Sequence, residues 1–185
     1  SNDIFHTNSL QILDGRLAEK VSAFRKGNIL TSMRALNAIA VVDLEEERVV
    51  WAYKGDFKLQ HDPKILENGN LLLFDNVAEP GASKVIEFDP ATMEQVWVYK
   101  GTAENPFHSE TLGAAQRLPN GNTLISESDE GRALEVTSEK EIVWEFYNPH
   151  RAGSNGEYIA ALFEVVRLPL DFPTDWIAPG ETREE

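Results

Sequence analysis

Three tryptophans recur in near-identical contexts: Val49-Val50-Trp51-Ala52-Tyr53, Gln95-Val96-Trp97-Val98-Tyr99 and Ile142-Val143-Trp144-Glu145-Phe146. They lie 46 and 47 residues apart. Each follows a strand-and-turn unit: Ile39 to Asp43 then Glu45-Glu46-Glu47, Lys84 to Asp89 then Pro90-Ala91-Thr92, and Ala133 to Thr137 then Ser138-Glu139-Lys140. Further back stands a Gly-Asn turn, at Gly27-Asn28, Gly69-Asn70 and Gly121-Asn122. A period in the forties with four short strands per unit is the signature of β-propeller blades in an all-β chain. One such blade cannot bury both faces alone, so blades stack side by side around an axis. The tryptophans then sit in outer strands and pack blade against blade. A sandwich with accidental internal similarity is the alternative.

The repeat places blades at about residues 3–55, 56–102 and 103–149, with the remnant of a fourth at 150–176 and an acidic tail at 177–185. The first repeat carries an insertion, Asp14 to Lys26, expected as a long loop with one helical turn. Tyr158 to Leu168 reads as one more long strand, or two, before Pro169, Pro173 and Pro179 break the chain. Propellers close with about four to eight blades. This arc is therefore completed by a second copy, as a homo-oligomer, or by further blades on the N-terminal side.

Composition narrows the partners. A net charge of −14 argues against nucleic acid and anionic membrane surfaces, both of which call for basic patches. No cysteine is present, which removes disulfides, thiol chemistry and cysteine-ligated zinc. No run approaches a membrane span, and no signal peptide is visible.

The four histidines share one phase of the repeat. His6 precedes Ser9 to Ile12, His61 precedes Lys64 to Leu66, His108 precedes Ala114 to Leu118, and His150 precedes Tyr158 to Ala160. That phase is the loop entering the innermost strand, facing the central channel. The first strand runs from this rim to the Gly-Asn turn and the second runs back. Arg34, which ends the second strand of the first repeat, therefore returns to the rim near His6 and His61; Asn76 and Ser128 hold the equivalent positions. The bland reading of Arg34 is a cation paired with a surface carboxylate. His108, with Ser109 and Thr111, either lines the channel or caps a turn. His150 sits among turn residues, Asn148 to Gly153, and reads as structural.

Imidazoles beside an arginine suit two chemistries. A metal site is disfavoured, because no His-x-His or His-x-x-x-His spacing occurs. A nucleophilic histidine fits better: neutral imidazole attacks sulfur or phosphorus when neighbouring donors stabilise the equatorial oxygens.

The runs Phe5-His6-Thr7-Asn8-Ser9, Gly27 to Arg34, Gln60-His61-Asp62 and Gly69 to Asn76 resemble the arylsulfate sulfotransferase family. So do Ala115 to Ile125, Gly131-Arg132 and Glu141 to Glu145, so that the resemblance covers roughly residues 3 to 176. It implies the C-terminal part of a six-bladed propeller. It also implies cofactor-independent transfer of a sulfuryl group from an aryl sulfate to a phenol through a sulfohistidine. By the same resemblance His61 matches the nucleophile, His6 and Asn8 match a His-x-Asn pair, and Arg34 matches the family's arginine. His108, Asn76 and Thr111 are then the candidate substrate contacts. The family's further active-site histidine, from an earlier blade, has no counterpart here. A non-catalytic propeller that binds a partner or an anionic ligand through the same mouth is the other function class.

Overall fold

The computed structural model describes residues 3–174 and 176; the tail assigned to 177–185 lies outside the described residues. Three antiparallel four-stranded sheets follow one another along the chain. Blade 1 comprises β1 (Thr7–Ile12), β2 (Ile29–Met33), β3 (Ala38–Asp43) and β4 (Arg48–Tyr53). Blade 2 comprises β5 (His61–Ile65), β6 (Leu71–Glu79), β7 (Ala82–Phe88) and β8 (Gln95–Lys100). Blade 3 comprises β9 (Ala114–Arg117), β10 (Thr123–Glu127), β11 (Arg132–Val136) and β12 (Ile142–Tyr147). In each sheet the spatial order of strands is their chain order. The turns from first to second strand hinge on Gly27, Gly69 and Gly121, with φ of 90°, 86° and 88°. Those left-handed conformations are open to glycine without a Cβ penalty.

The blades stack through both faces of their middle strands. On β6, Leu71 and Leu73 belong to an apolar cluster with Leu30, Ile39 and Val41 of blade 1. The alternate residues Leu72 and Phe74 join a second cluster with Ile125, Leu134 and Val136 of blade 3. Period-two alternation sends neighbouring side chains to opposite faces, and here both faces are dry. The insertion in blade 1 contributes to the first cluster. It holds a 3-10 turn at Ser22–Phe24, and Leu17 and Phe24 are buried.

Trp97 bridges two blades as the repeat predicts, and Trp51 packs on the cluster shared by blades 1 and 2. Trp51 meets Phe24 of the insertion edge-on, with centroids 5.0 Å apart. Trp97 donates its indole N–H to the Ser138 carbonyl of blade 3 at 2.9 Å. The Arg117 guanidinium, also from blade 3, lies 5.1 Å from the Trp97 ring centroid. Trp144 is 41% exposed, because no further sheet covers it among the described residues.

A polar clamp repeats with the blades. Glu87 on β7 is buried and accepts from Asn68 Nδ2 at 2.9 Å, Asn70 Nδ2 at 2.7 Å and Arg117 at 2.7 Å. Glu135 on β11 accepts from Asn120 at 3.2 Å, Asn122 at 2.7 Å and Arg167 at 3.0 Å. Arg167 thus stands to blade 3 as Arg117 stands to blade 2. Gln116 brackets the backbone of Arg167, accepting from its N–H at 2.8 Å and donating to its carbonyl at 3.2 Å. Gln11 of blade 1 likewise accepts from Ile65 N–H of β5 at 2.9 Å.

Residues 160–168 therefore run where the inner strand of a fourth blade belongs. The long strand expected from Tyr158 to Leu168 is not formed: only Tyr158–Ile159 (β14) is a strand, paired with Arg151–Ala152 (β13). Side chains of blade 3, Ser126 Oγ and Gln116 Oε1, take the Val165 and Arg167 N–H groups. The Leu162 N–H goes to the Ser128 carbonyl. None of these makes a ladder.

The clamp yields a stability prediction. Glu87→Ala leaves two asparagine amides and a guanidinium without their shared acceptor, and the expected loss is about 3 kcal/mol. Lys20→Ala, which breaks the exposed Lys20–Asp89 pair, is expected to cost under about 1 kcal/mol. Urea denaturation of both variants checks the contrast.

Candidate functional site

The first strands of the blades enter from one rim, and each entry is irregular. In β5 His61 pairs with Phe74, the ladder resumes only at Lys64 and Leu72, and Asp62 between them has φ 52°. In β1 the pairing steps from Thr7–Met33 to Ser9–Ser32, which leaves Asn8 bulged, and His6 before it has φ 47°. Leu112, entering β9, has φ 56°. Left-handed non-glycine residues are uncommon, and bulges re-aim side chains at the mouths of barrels and sites. Both histidine entries thus depart from simple strand alternation. Asn8 reaches the site through its bulge, not by sharing a strand face with His6.

A cavity of about 130 Å³ opens at this rim, lined by Asn8, His61, Asp62, Leu112, Gly113, Ala114, Phe163 and Glu164. These residues come from the entries of β1, β5 and β9 and from the 160–168 segment, so three inner strands and that segment converge there. Gly113 is required at the wall, since a Cβ on it would lie 2.7 Å from the Phe74 ring.

His61 is the best-held group in the cavity. Its ring is buried, and Nδ1 lies 2.8 Å from Asn76 Oδ1. Nε2 forms no hydrogen bond with a described residue. Burial holds the His61 pKa below the ordinary imidazole value; the Asn76 hydrogen bond opposes this, and the charge of Arg34 adds to the lowering. The Leu59 carbonyl favours the protonated ring more weakly than Asn76 does, and His6 disfavours it. Arg34 and His6 are therefore within electrostatic reach of the ring. The Arg34 side chain is half-buried and makes no ion pair with any described carboxylate. His6 is exposed and lies 3.5 Å from Asp3 through Nδ1. Asn8 donates to the Gln60 carbonyl at 2.9 Å, and its own Oδ1 is buried without a partner.

The three candidate substrate contacts divide. Asn76 is fully buried behind His61, with its amide donating to the Ser109 and Leu112 carbonyls at 2.8 and 2.7 Å. Thr111 gives its hydroxyl to Asp129 at 2.6 Å and its N–H to the other oxygen of that carboxylate at 2.9 Å. His108 lines a different cavity, of about 330 Å³, with Glu127, Arg132 and Tyr147. Its Nδ1 is buried and unpartnered, and its N–H donates to Glu127 at 2.6 Å. His150 is exposed in a turn closed by Asn148.

Asp62 lines the His61 cavity, yet its spacing in the sequence gave no sign of its chemistry. It is paired with Lys64 at 2.8 Å, and Lys64 also reaches Glu164 at 3.0 Å. Burial pushes the Asp62 carboxyl up to about 6, against the pull of Lys64. Among the described residues no group of three or more histidine and carboxylate side chains is placed to hold a metal ion.

Blades stacked around an axis, with a buried imidazole and an arginine unpaired among the described residues at one end, define a β-propeller with a candidate site at its mouth. Residues 1–149 match the family model for arylsulfotransferase (ASST), and the chain belongs to that family. No curated protein matches it. Among solved structures it is similar to the selenomethionine-substituted virginiamycin B lyase of Staphylococcus aureus, at 16% identity and a TM-score of 0.52 over 80% of this chain and 43% of that one. It is also similar to a catalytically inactive form of that lyase with quinupristin, at 18% identity and a TM-score of 0.53 over 86% and 46%. At that identity the likeness concerns the propeller fold alone. The chain spans less than half the length of either structure.

The depressed His61 pKa gives a signed prediction. The unfolded chain takes up this proton near 6.5 and the folded chain only at lower pH. The contribution to stability is whole above that value and is lost as pH falls from it through the folded one. His61→Gln is therefore expected to flatten the pH dependence of stability on the acid side of about 6.5, read by urea midpoints across a pH series.

Proposed function

We propose that this propeller transfers a sulfuryl group from an aryl sulfate to a phenol through a sulfohistidine on His61, without a cofactor. The observation that carries the reading is a buried imidazole anchored through Nδ1, whose burial disfavours its charged form. Its other nitrogen is uncommitted, an unpaired arginine is in electrostatic range, and the chain is an ASST-family member.

The steps balance. The Nε2 lone pair of His61 forms an N–S bond as the S–O bond to the donor aryl group breaks, and a phenolate leaves. The acceptor phenol gives up its proton, its oxygen forms the new S–O bond, and the N–S bond breaks to return neutral imidazole. One proton passes in sum from acceptor phenol to donor phenolate. Arg34, His6 and Asn8 would hold the equatorial oxygens, whose negative charge a preorganised donor stabilises more strongly in a site shielded from water. Asp62, beside His61 and with a carboxyl titrating at about 6, is suited to receive the acceptor's proton.

The open side of the arc has no wall of its own among the described residues. Strands from a second copy or from further blades would complete it. A non-catalytic module that binds an anion at Arg34 is the competing reading, favoured by that open side.

Incubation with p-nitrophenyl sulfate followed by intact mass separates the two. A mass gain of one sulfuryl group, lost in His61→Ala, is expected. Arg34→Ala is expected to lower turnover by about 10²–10³-fold, the cost of one oxyanion donor. Thermal stabilisation by p-nitrophenyl sulfate with no mass gain and no nitrophenol release would instead assign a binding module.

A further inference from the structure

Arg34 and Ser128 stand just past the second strands of their blades; Asn76, at the equivalent position, is buried inside β6, where its pairing with β7 is interrupted. Its orientation can be deduced from its surroundings. Two carbonyls, Ser109 O at 2.8 Å and Leu112 O at 2.7 Å, face its Nδ2. Carbonyls only accept, so the nitrogen must point at them; a flipped amide would set oxygen against oxygen at both contacts. Oδ1 is therefore the atom 2.8 Å from His61 Nδ1. An amide oxygen also only accepts, so Nδ1 must carry the hydrogen. In the neutral ring the lone pair is then on Nε2.

The two carbonyls belong to the loop that leads into β9, whose residues Leu112 and Gly113 form a wall of the His61 cavity. That loop is tied back to blade 2 by a second route. Ser83 Oγ donates to the Asn76 carbonyl at 2.7 Å and accepts the Ser109 N–H at 2.9 Å. One amide thus fixes the imidazole of blade 2 against the loop of blade 3.

We infer that Asn76 is a positioning residue that locks His61 in the Nδ1–H tautomer and sets Nε2 as the attacking nitrogen, touching no substrate itself. The role in attack rests on the sulfuryl-transfer reading; the tautomer does not. As Nε2 bonds to sulfur the ring gains positive charge, and the Nδ1–H bond to Asn76 strengthens with it.

The test begins with the unmodified protein. Nitrogen-15 labelled histidine and long-range nitrogen–proton correlation spectra, at a pH where His61 is neutral, report which ring nitrogen carries hydrogen. Hydrogen on Nδ1 is expected. Hydrogen on Nε2, or rapid exchange between the two forms, overturns the assignment whether or not the protein transfers sulfuryl groups. Asn76→Ala, with folding checked by circular dichroism, is expected to mix the tautomers and to lower kcat at least tenfold with KM within about twofold. A folded variant with the unchanged Nδ1–H tautomer overturns the lock. A mixed tautomer with unchanged kcat leaves the lock standing and overturns its role in attack. If the variant does not fold, the spectrum of the unmodified chain decides.

Discussion

Leu71 and Leu73 leave β6 on one side and Leu72 and Phe74 on the other, and all four are fully buried. The hydrophobic contribution scales with apolar area removed from water, so a sheet buried on both faces gains twice what a one-sided sheet of the same length gains. Everything at the mouth follows from this packing. It sets blade 2 between blades 1 and 3, which brings the end of β2, Asn76 of β6 and the entry of β9 around one ring, His61. Without blade 1 there is no Arg34 near that ring, and without blade 3 there are no carbonyls to orient Asn76.

The same packing accounts for what is left exposed. Phe163, Val166 and Leu168 lie along the segment that runs in the place of a fourth inner strand and are exposed, as are Leu10 and Ile12 at the start of blade 1 and Trp144 and Phe146 on the last strand of blade 3. These residues hold positions that, one repeat along, are covered by a neighbouring blade. Their apolar character is the repeat's own. The clamp on Glu135 by Arg167 repeats that on Glu87 by Arg117, with no four-stranded sheet behind the arginine among the described residues.

Much of this was legible in the chain itself. The Gly-Asn turns and the recurring tryptophans report the blade because they obey local rules of turn conformation and strand period. Strand direction and the repeat are enough to set His6, Arg34 and His61 at one rim, where Arg34 and His6 act electrostatically on the His61 ring. The bulges at Asn8 and Asp62 were not legible, since a one-residue register step leaves no mark on a run of five or six residues. The duty of Asn76 was hidden for another reason. Its partners are backbone carbonyls of Ser109 and Leu112, and a carbonyl has no identity in a sequence. The break-up of the expected strand at 158–168 is a third kind: a strand needs a neighbour, and the sequence of one strand does not say whether its neighbour is there.

An amide behind the histidine is a chemical choice with consequences. A carboxylate in the place of Asn76 would pull the imidazole toward its charged form, and a charged imidazole has no lone pair to offer sulfur. It would also set a negative group against the Ser109 and Leu112 carbonyls in a site from which water is excluded, where an unpaired charge is expensive. The neutral oxygen of Asn76 accepts the same hydrogen while leaving burial and the Arg34 charge to keep the ring neutral. Arg34 then acts in two senses at once. It lowers the proton affinity of the His61 ring, and, without an ion-pair partner among the described residues, it would be free to meet a sulfuryl oxygen in the proposed reaction.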